Sequence, residues 1–219
     1  MYFLLATCLA FSLLLILNLV VSVSASVVWR VVSPATKHIT ARKRAQIIFA
    51  LRTFPVGAAS LFVLAFLLPA YFLFEPHSSN EVVSIKLALI SAASLSGIGI
   101  AAFRVARTWA VTRRLASDWL ARSEPIHIDE VNIPVYRLEH PFPVIAVVGI
   151  IRPRMFVASQ IFDSLSHDEF CAAIAHEYGH LTGHDNFKRT FLRVCRDLLL
   201  LPFGRELDRA WAANTECAA

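Results

Sequence analysis

From Met1 to Trp29 the chain carries no charged residue, and no other feature limits its fold so severely. About 20 apolar residues wound into a helix already cross the hydrocarbon layer of a bilayer. A second charge-free run extends from Thr53 to Phe74. A third candidate, Val82 to Phe103, holds one charge, Lys86, near its start, where a long stem can carry the ammonium to the interface. The 57% hydrophobic content and mean hydropathy of +0.59 are too high for 219 residues of ordinary soluble domain. The sequence therefore predicts three transmembrane helices, about 2–29, 53–74 and 82–103, in a membrane region 1–107. A cleaved signal peptide would need a basic start and an apolar core of about 7–15 residues. The first run has no early Lys or Arg and is too long, so an uncleaved anchor is expected, the small residues Ser22 to Ser26 being the one feature that favours cleavage.

Basic residues set the expected orientation, because short cytoplasmic loops hold an excess of Lys and Arg. Arg30, Lys37, Arg42, Lys43, Arg44 and Arg52 lie between the first two runs with no acid among them. The next connector carries Glu75 and Glu81 against Lys86, and Arg104, Arg107, Arg113 and Arg114 follow the third run. The N-terminus is thus expected outside and everything after about residue 104 inside, in the plasma (inner) membrane. The net charge of +5 is concentrated beside the spans, where it attracts anionic headgroups, and calls for no nucleic-acid partner. Cys8, Cys171, Cys195 and Cys217 form no CxxC pair and read as reduced thiols.

After the spans, residues 108–124 read as a basic linker helix and 125–219 as a separate domain. Prolines at 125, 134, 141, 143 and 153 separate short β-rich runs, "NIPVYRL", "PVIAVVGI" and "RMFVAS", which predict two or three strands, with a turn over "GIIRPR". A short helix over "SQIFDSL" follows. Ser166 with Glu169 forms a capping box, so a helix is expected from His167. Gly179 and Gly183 are each unfavourable inside a helix by about 1 kcal/mol relative to Ala, so close packing or room for a ligand is expected there. Two further helices, Asn186 to Leu201 and one after the break "PFG", complete the chain.

The stretch "AHEYGHLTGHDN" carries the chemistry. His176 and His180, four apart, share one helix face, and Glu177 between them can reach a water beside the same ion. Two imidazoles, a carboxylate base and an open position are the requirements of a zinc peptidase. His184 continues the spacing, but on a continuous helix it would sit ~12 Å along the axis from His176, too far to share an ion at ~2 Å bonds. The longer metzincin signature HExxHxxGxxH fails at its last position, which is Asn186. Downstream carboxylates are Asp185, Asp197, Glu206, Asp208 and Glu216; Asp185 and Asp197 are too near or lie on the connecting helix, and spacing alone leaves Glu206 and Glu216 open as the third ligand.

The run from Gly149 to Asn186 resembles the integral-membrane zinc peptidases of the BlaR/MecR type, antibiotic-sensing signal transducers, and more distantly the prenyl-protease and HtpX-like membrane peptidases. Gly149, Pro153, Met155, Leu165, Ser166, Glu169, His176, Glu177, His180 and Asp185 carry the likeness, over about residues 144 to 190. It implies an α+β, gluzincin-like HExxH domain after the three spans, with one zinc ion held by His176, His180 and Glu216, the last as the first residue of a helical ExxxD motif. It implies Glu177 as general base and Asp185 as a supporting residue behind the ligands. The final Asp of ExxxD would fall after Ala219, so by this likeness the domain is expected to be truncated and weakened in metal binding. The expected activity is endopeptidase cleavage of a protein or peptide substrate, paired as an extra strand along an edge within Val144 to Ala158. The alternatives are a signal-transducer fragment and an impaired remnant acting as a membrane interaction protein; His77 in the outer connector is the one sensor candidate, more simply a solvated loop residue.

Overall fold

The computed structural model describes residues 1–76, 82–128, 131–200 and 204–219. His77, Glu81 and the Pro202–Phe203 part of the expected helix break lie outside them. Among the described residues, three helices are long and apolar enough to cross a membrane: α1 (Tyr2–Val32), the continuous stretch Ala41–Phe74, and α4 (Ile85–Leu120). Each outruns its charge-free core. The flanks "ARKRAQIIFALR" and "RVARTWAVTRRLASDWL" are rich in Ala, Arg and Leu and contain neither Gly nor Pro, so nothing in them stops a helix. Residues 108–120 of the stretch read as a linker helix are consequently the C-terminal part of α4, whereas Ser123 and Glu124, expected to end that helix, begin the first strand of the sheet.

Ala41–Phe74 is not uniform. It comprises α2 (Ala41–Phe62), one π-helical turn over Val63–Leu67, and α3 (Leu68–Phe74). Pro69 has no N–H to donate, and its ring crowds the carbonyl four residues back, at Ala65, inside the widened turn.

The chain divides into two units, Met1–Arg104 with Phe191–Asn214, and Val105–Thr190 with Thr215–Ala219. In the first, α1 buries Leu5, Cys8, Ser12, Asn18, Ser22, Ala25 and Trp29 at intervals of mostly three or four, and α4 buries Ser91, Ser94, Gly97 and Ala101. Small side chains at such spacing let helices approach closely where lipid removes the usual hydrophobic drive. Ser12 Oγ donates to the Leu87 carbonyl at 3.1 Å, and a Cβ on Gly97 would stand 3.1 Å from the Leu198 carbonyl oxygen. Trp29, Ala45 and Ile48 pack with Leu192 of α7 (Asp185–Asp197) and with Leu207 and Trp211 of α8 (Arg205–Glu216).

The second unit is built on a four-stranded sheet of β1 (Ser123–Ile126), β2 (Val135–Leu138), β3 (Ile145–Val148) and β4 (Arg154–Ala158) in the order β1-β2-β4-β3. β2 and β4 are parallel, and the two outer pairs are antiparallel. The three β-rich runs supply β2, β3 and β4. β1, "SEPI", holds Pro125 and was not among the expected strands; it sits at an edge, where a missing N–H is tolerated. Gly149 closes the β3–β4 hairpin at φ +106, and a Cβ there would stand 2.8 Å from the Arg152 carbonyl oxygen, so the turn needs glycine.

β4 is covered on both faces. Met155 and Val157 join Val135, Ile161 and Ile174 in one core, while Phe156 packs against Trp119 and Tyr136 with ring centroids 5.2 and 5.5 Å away. Period-two alternation along the strand produces this division. After β4 come α5 (Ser159–Ser164) and α6 (His167–Thr182), whose Ile174 seats it in the core.

Candidate metal centre

The capping box is formed: Ser166 Oγ accepts from the Glu169 N–H at 3.4 Å, and Glu169 Oε2 accepts from the Ser166 N–H at 2.9 Å. That start fixes the phase of α6 and so the face on which His176 and His180 stand. Their rings lie 4.8 Å apart, near-perpendicular at 82°. Both Nε2 atoms face one carboxylate oxygen, Glu216 Oε2, at 3.9 Å from His176 and 3.5 Å from His180. One donor atom from each of the three residues lies within 4.8 Å of the others.

His180 is oriented from behind. Its Nδ1 is 2.8 Å from Asp185 Oδ2, and Asp185 is buried. A carboxylate there favours the proton on Nδ1 and leaves the Nε2 lone pair free to bind a metal. Gly183 makes this contact sterically possible, since a Cβ on it would stand 2.9 Å from Asp185 Oδ1. Gly179 does the same on the other side of the site: its Cβ would stand 2.9 Å from the Ala219 Cα, so glycine admits the backbone that follows Glu216. Both glycines therefore serve close approach.

His184 is not in the group, for a reason different from the axial distance. α6 ends at Thr182, and His184 adopts φ +54 in the turn to α7, the left-handed position that commonly ends a helix. The remaining downstream carboxylates each meet an arginine in the first unit. Asp197 pairs with Arg104 at 2.6 Å, Glu206 with Arg30 through two contacts of 2.9 Å, and Asp208 with Arg52 at 3.0 Å. Of Glu206 and Glu216, the two that spacing left open, Glu216 is the one beside the histidines.

Glu177 is half-buried, and burial holds its carboxyl above the usual carboxylate range, with His180 and His176 pulling the other way and Glu216 adding to the rise. The donor set of two imidazoles and one carboxylate fits zinc, whose catalytic sites use three such ligands and keep a position open. Sequence reasoning passed over Arg189, whose Nη2 is 3.6 Å from Glu216 Oε1. Its signal was the four-residue interval from Asp185, which puts both on one face of α7. All four cysteines are free, and burial pushes the Cys195 thiol up to about 11.

Two imidazoles and one carboxylate thus converge on an HExxH helix, in a chain whose described residues include three long apolar helices. Residues 145–213 match the family model described as Peptidase family M48, which supports a metallopeptidase of that family for this part of the chain. The match does not separate the BlaR/MecR-type likeness from the HtpX-like one. No curated protein and no solved structure matches the chain significantly.

Proposed function

We propose that this protein is a membrane-anchored, zinc-dependent endopeptidase that cleaves a protein or peptide substrate on the cytoplasmic side of the plasma (inner) membrane. The observation that carries the reading is the convergence of His176 Nε2 and His180 Nε2 on Glu216 Oε2, with Asp185 behind His180. His176, His180 and Glu216 would hold the ion, which when bound supplies Lewis acidity, lowering the pKa of water and polarising a carbonyl. Glu177 takes the proton of the attacking water as its oxygen adds to the scissile carbonyl carbon. The same carboxyl then delivers that proton to the departing amine nitrogen.

Substrate would lie along β3, an edge strand. Because the Ala158 N–H donates to the Val144 carbonyl, alternation turns the main-chain groups of Ile145 and Val147 to the open side. There the Val147 carbonyl accepts from Asn186 Nδ2 at 3.2 Å, which ties the edge to the residue next to Asp185 and so to His180. An extended peptide added at Ile145 would therefore run close to the candidate ligands. The three apolar helices support membrane attachment, and the basic residues flanking them support a cytoplasmic peptidase domain.

A metal-removal experiment tests the activity. Peptide hydrolysis by the purified chain in detergent should disappear on treatment with a zinc chelator and return on adding zinc. Hydrolysis that persists in the demetallated protein would refute the zinc-dependent reading.

A further inference from the structure

We propose that Arg189 is a positioning residue that holds Glu216 in the orientation needed to ligate the metal; the assignment rests on the zinc peptidase reading above. The two oxygens of Glu216 have different partners. Oε2 faces the histidine Nε2 atoms at 3.5 and 3.9 Å, while Oε1 faces Arg189 Nη2 at 3.6 Å. The guanidinium thus occupies the side of the carboxylate turned away from the ligand cluster.

Stability does not explain the pair. Its side chains are 46% and 55% exposed, and 3.6 Å is beyond hydrogen-bond length, so the ion pair adds little to the fold. Its effect falls on Glu216 itself. A glutamate on the last residue of α8 has three rotatable bonds and loses rotamer freedom when it ligates an ion. A cation that already restrains one oxygen leaves less freedom to be lost, which raises metal affinity by preorganisation.

Helix α7 makes this a second instance of one device. Asp185 and Arg189 stand four residues apart on the same face, Asp185 holding His180 at Nδ1 and Arg189 holding Glu216 at Oε1. Two of the three candidate ligands are therefore supported from consecutive turns of one helix, His180 by an acceptor for its Nδ1 proton and Glu216 by a cation. Hydrogen-bonded partners of metal ligands typically change metal affinity by ~10–100-fold, and an exposed ion pair at 3.6 Å falls below that range.

Zinc affinity of the full chain in detergent, measured by competition with a chromophoric chelator, tests the assignment. Arg189→Gln should weaken zinc binding by roughly 2–5-fold, with the melting temperature of the metal-free protein unchanged. Arg189→Lys, which keeps the charge, should remain close to wild type. Unchanged affinity in Arg189→Gln, with only KM raised at saturating zinc, would instead make Arg189 a substrate contact and overturn the assignment alone. A loss in Arg189→Lys equal to that in Arg189→Gln would overturn it too, because charge would not be what matters. A wild-type chain that takes up no zinc would overturn both this assignment and the reading beneath it.

Discussion

Replacing Glu177 with Gln is expected to lower peptide hydrolysis by ~10²–10⁴-fold while the chain keeps its zinc. Gln preserves the size and most of the polarity of the side chain but cannot accept the water's proton. Glu177 lies next to His176 on α6 and is not one of the three residues whose donor atoms converge, so the metal should stay. Initial rates on an unstructured peptide, paired with metal content of the same samples, separate the two effects. Loss of rate together with loss of zinc would make Glu177 a ligand or a structural residue. An unchanged rate would exclude it as the base.

The largest expected loss of stability comes from Asp208→Ala, at about 3 kcal/mol. Arg52 is 2% exposed, its Nε bonds Asp208 Oδ1 at 3.0 Å, and its Nη2 has no hydrogen-bond partner among the described residues. An arginine stays protonated whatever its surroundings, so removing the carboxylate leaves a buried charge without compensation. Asp208 retains 20% side-chain exposure, which admits some water and holds the effect at the lower end of the usual range. The same helix provides the control. Glu206 makes a well-formed two-contact pair with Arg30, which holds its carboxyl below the usual range, yet both side chains are more than half exposed. Water replaces that partner readily, so Glu206→Ala should leave the denaturant midpoint near wild type. Equal midpoints for the two variants would contradict the burial argument.

What could be read from sequence was mostly local. The cap at Ser166 and Glu169, the turn at Gly149 and the three apolar runs each depend on residues a few positions apart, and each has its counterpart in the structure. The basic helix expected to continue out of the third run is there as far as Leu120, because charge does not stop a helix; charge-free runs report where lipid can be, and a helix needs a breaker to end. β1 was missed because Pro125 argues against a strand except at an edge, and edges are properties of the assembled sheet.

The site divides in the same way. His176 and His180 are set by one helical turn. The choice between Glu206 and Glu216 was not readable from spacing, because what occupies Glu206 is Arg30, 176 residues away. The roles of Gly179 and Gly183 were equally hidden: each admits a specific neighbour, the Ala219 backbone and the Asp185 carboxylate, that only tertiary structure brings near. For His184, the axial-distance argument assumed a helix that in fact ends two residues earlier.

The most direct test of the zinc centre is the metal content of the purified full chain and of two single variants. Wild type and Glu206→Ala should each carry one zinc per chain, and Glu216→Ala should lose it after dialysis against a weak chelator. Zinc retained by Glu216→Ala and lost from Glu206→Ala would contradict the assignment of His176, His180 and Glu216 as the metal site.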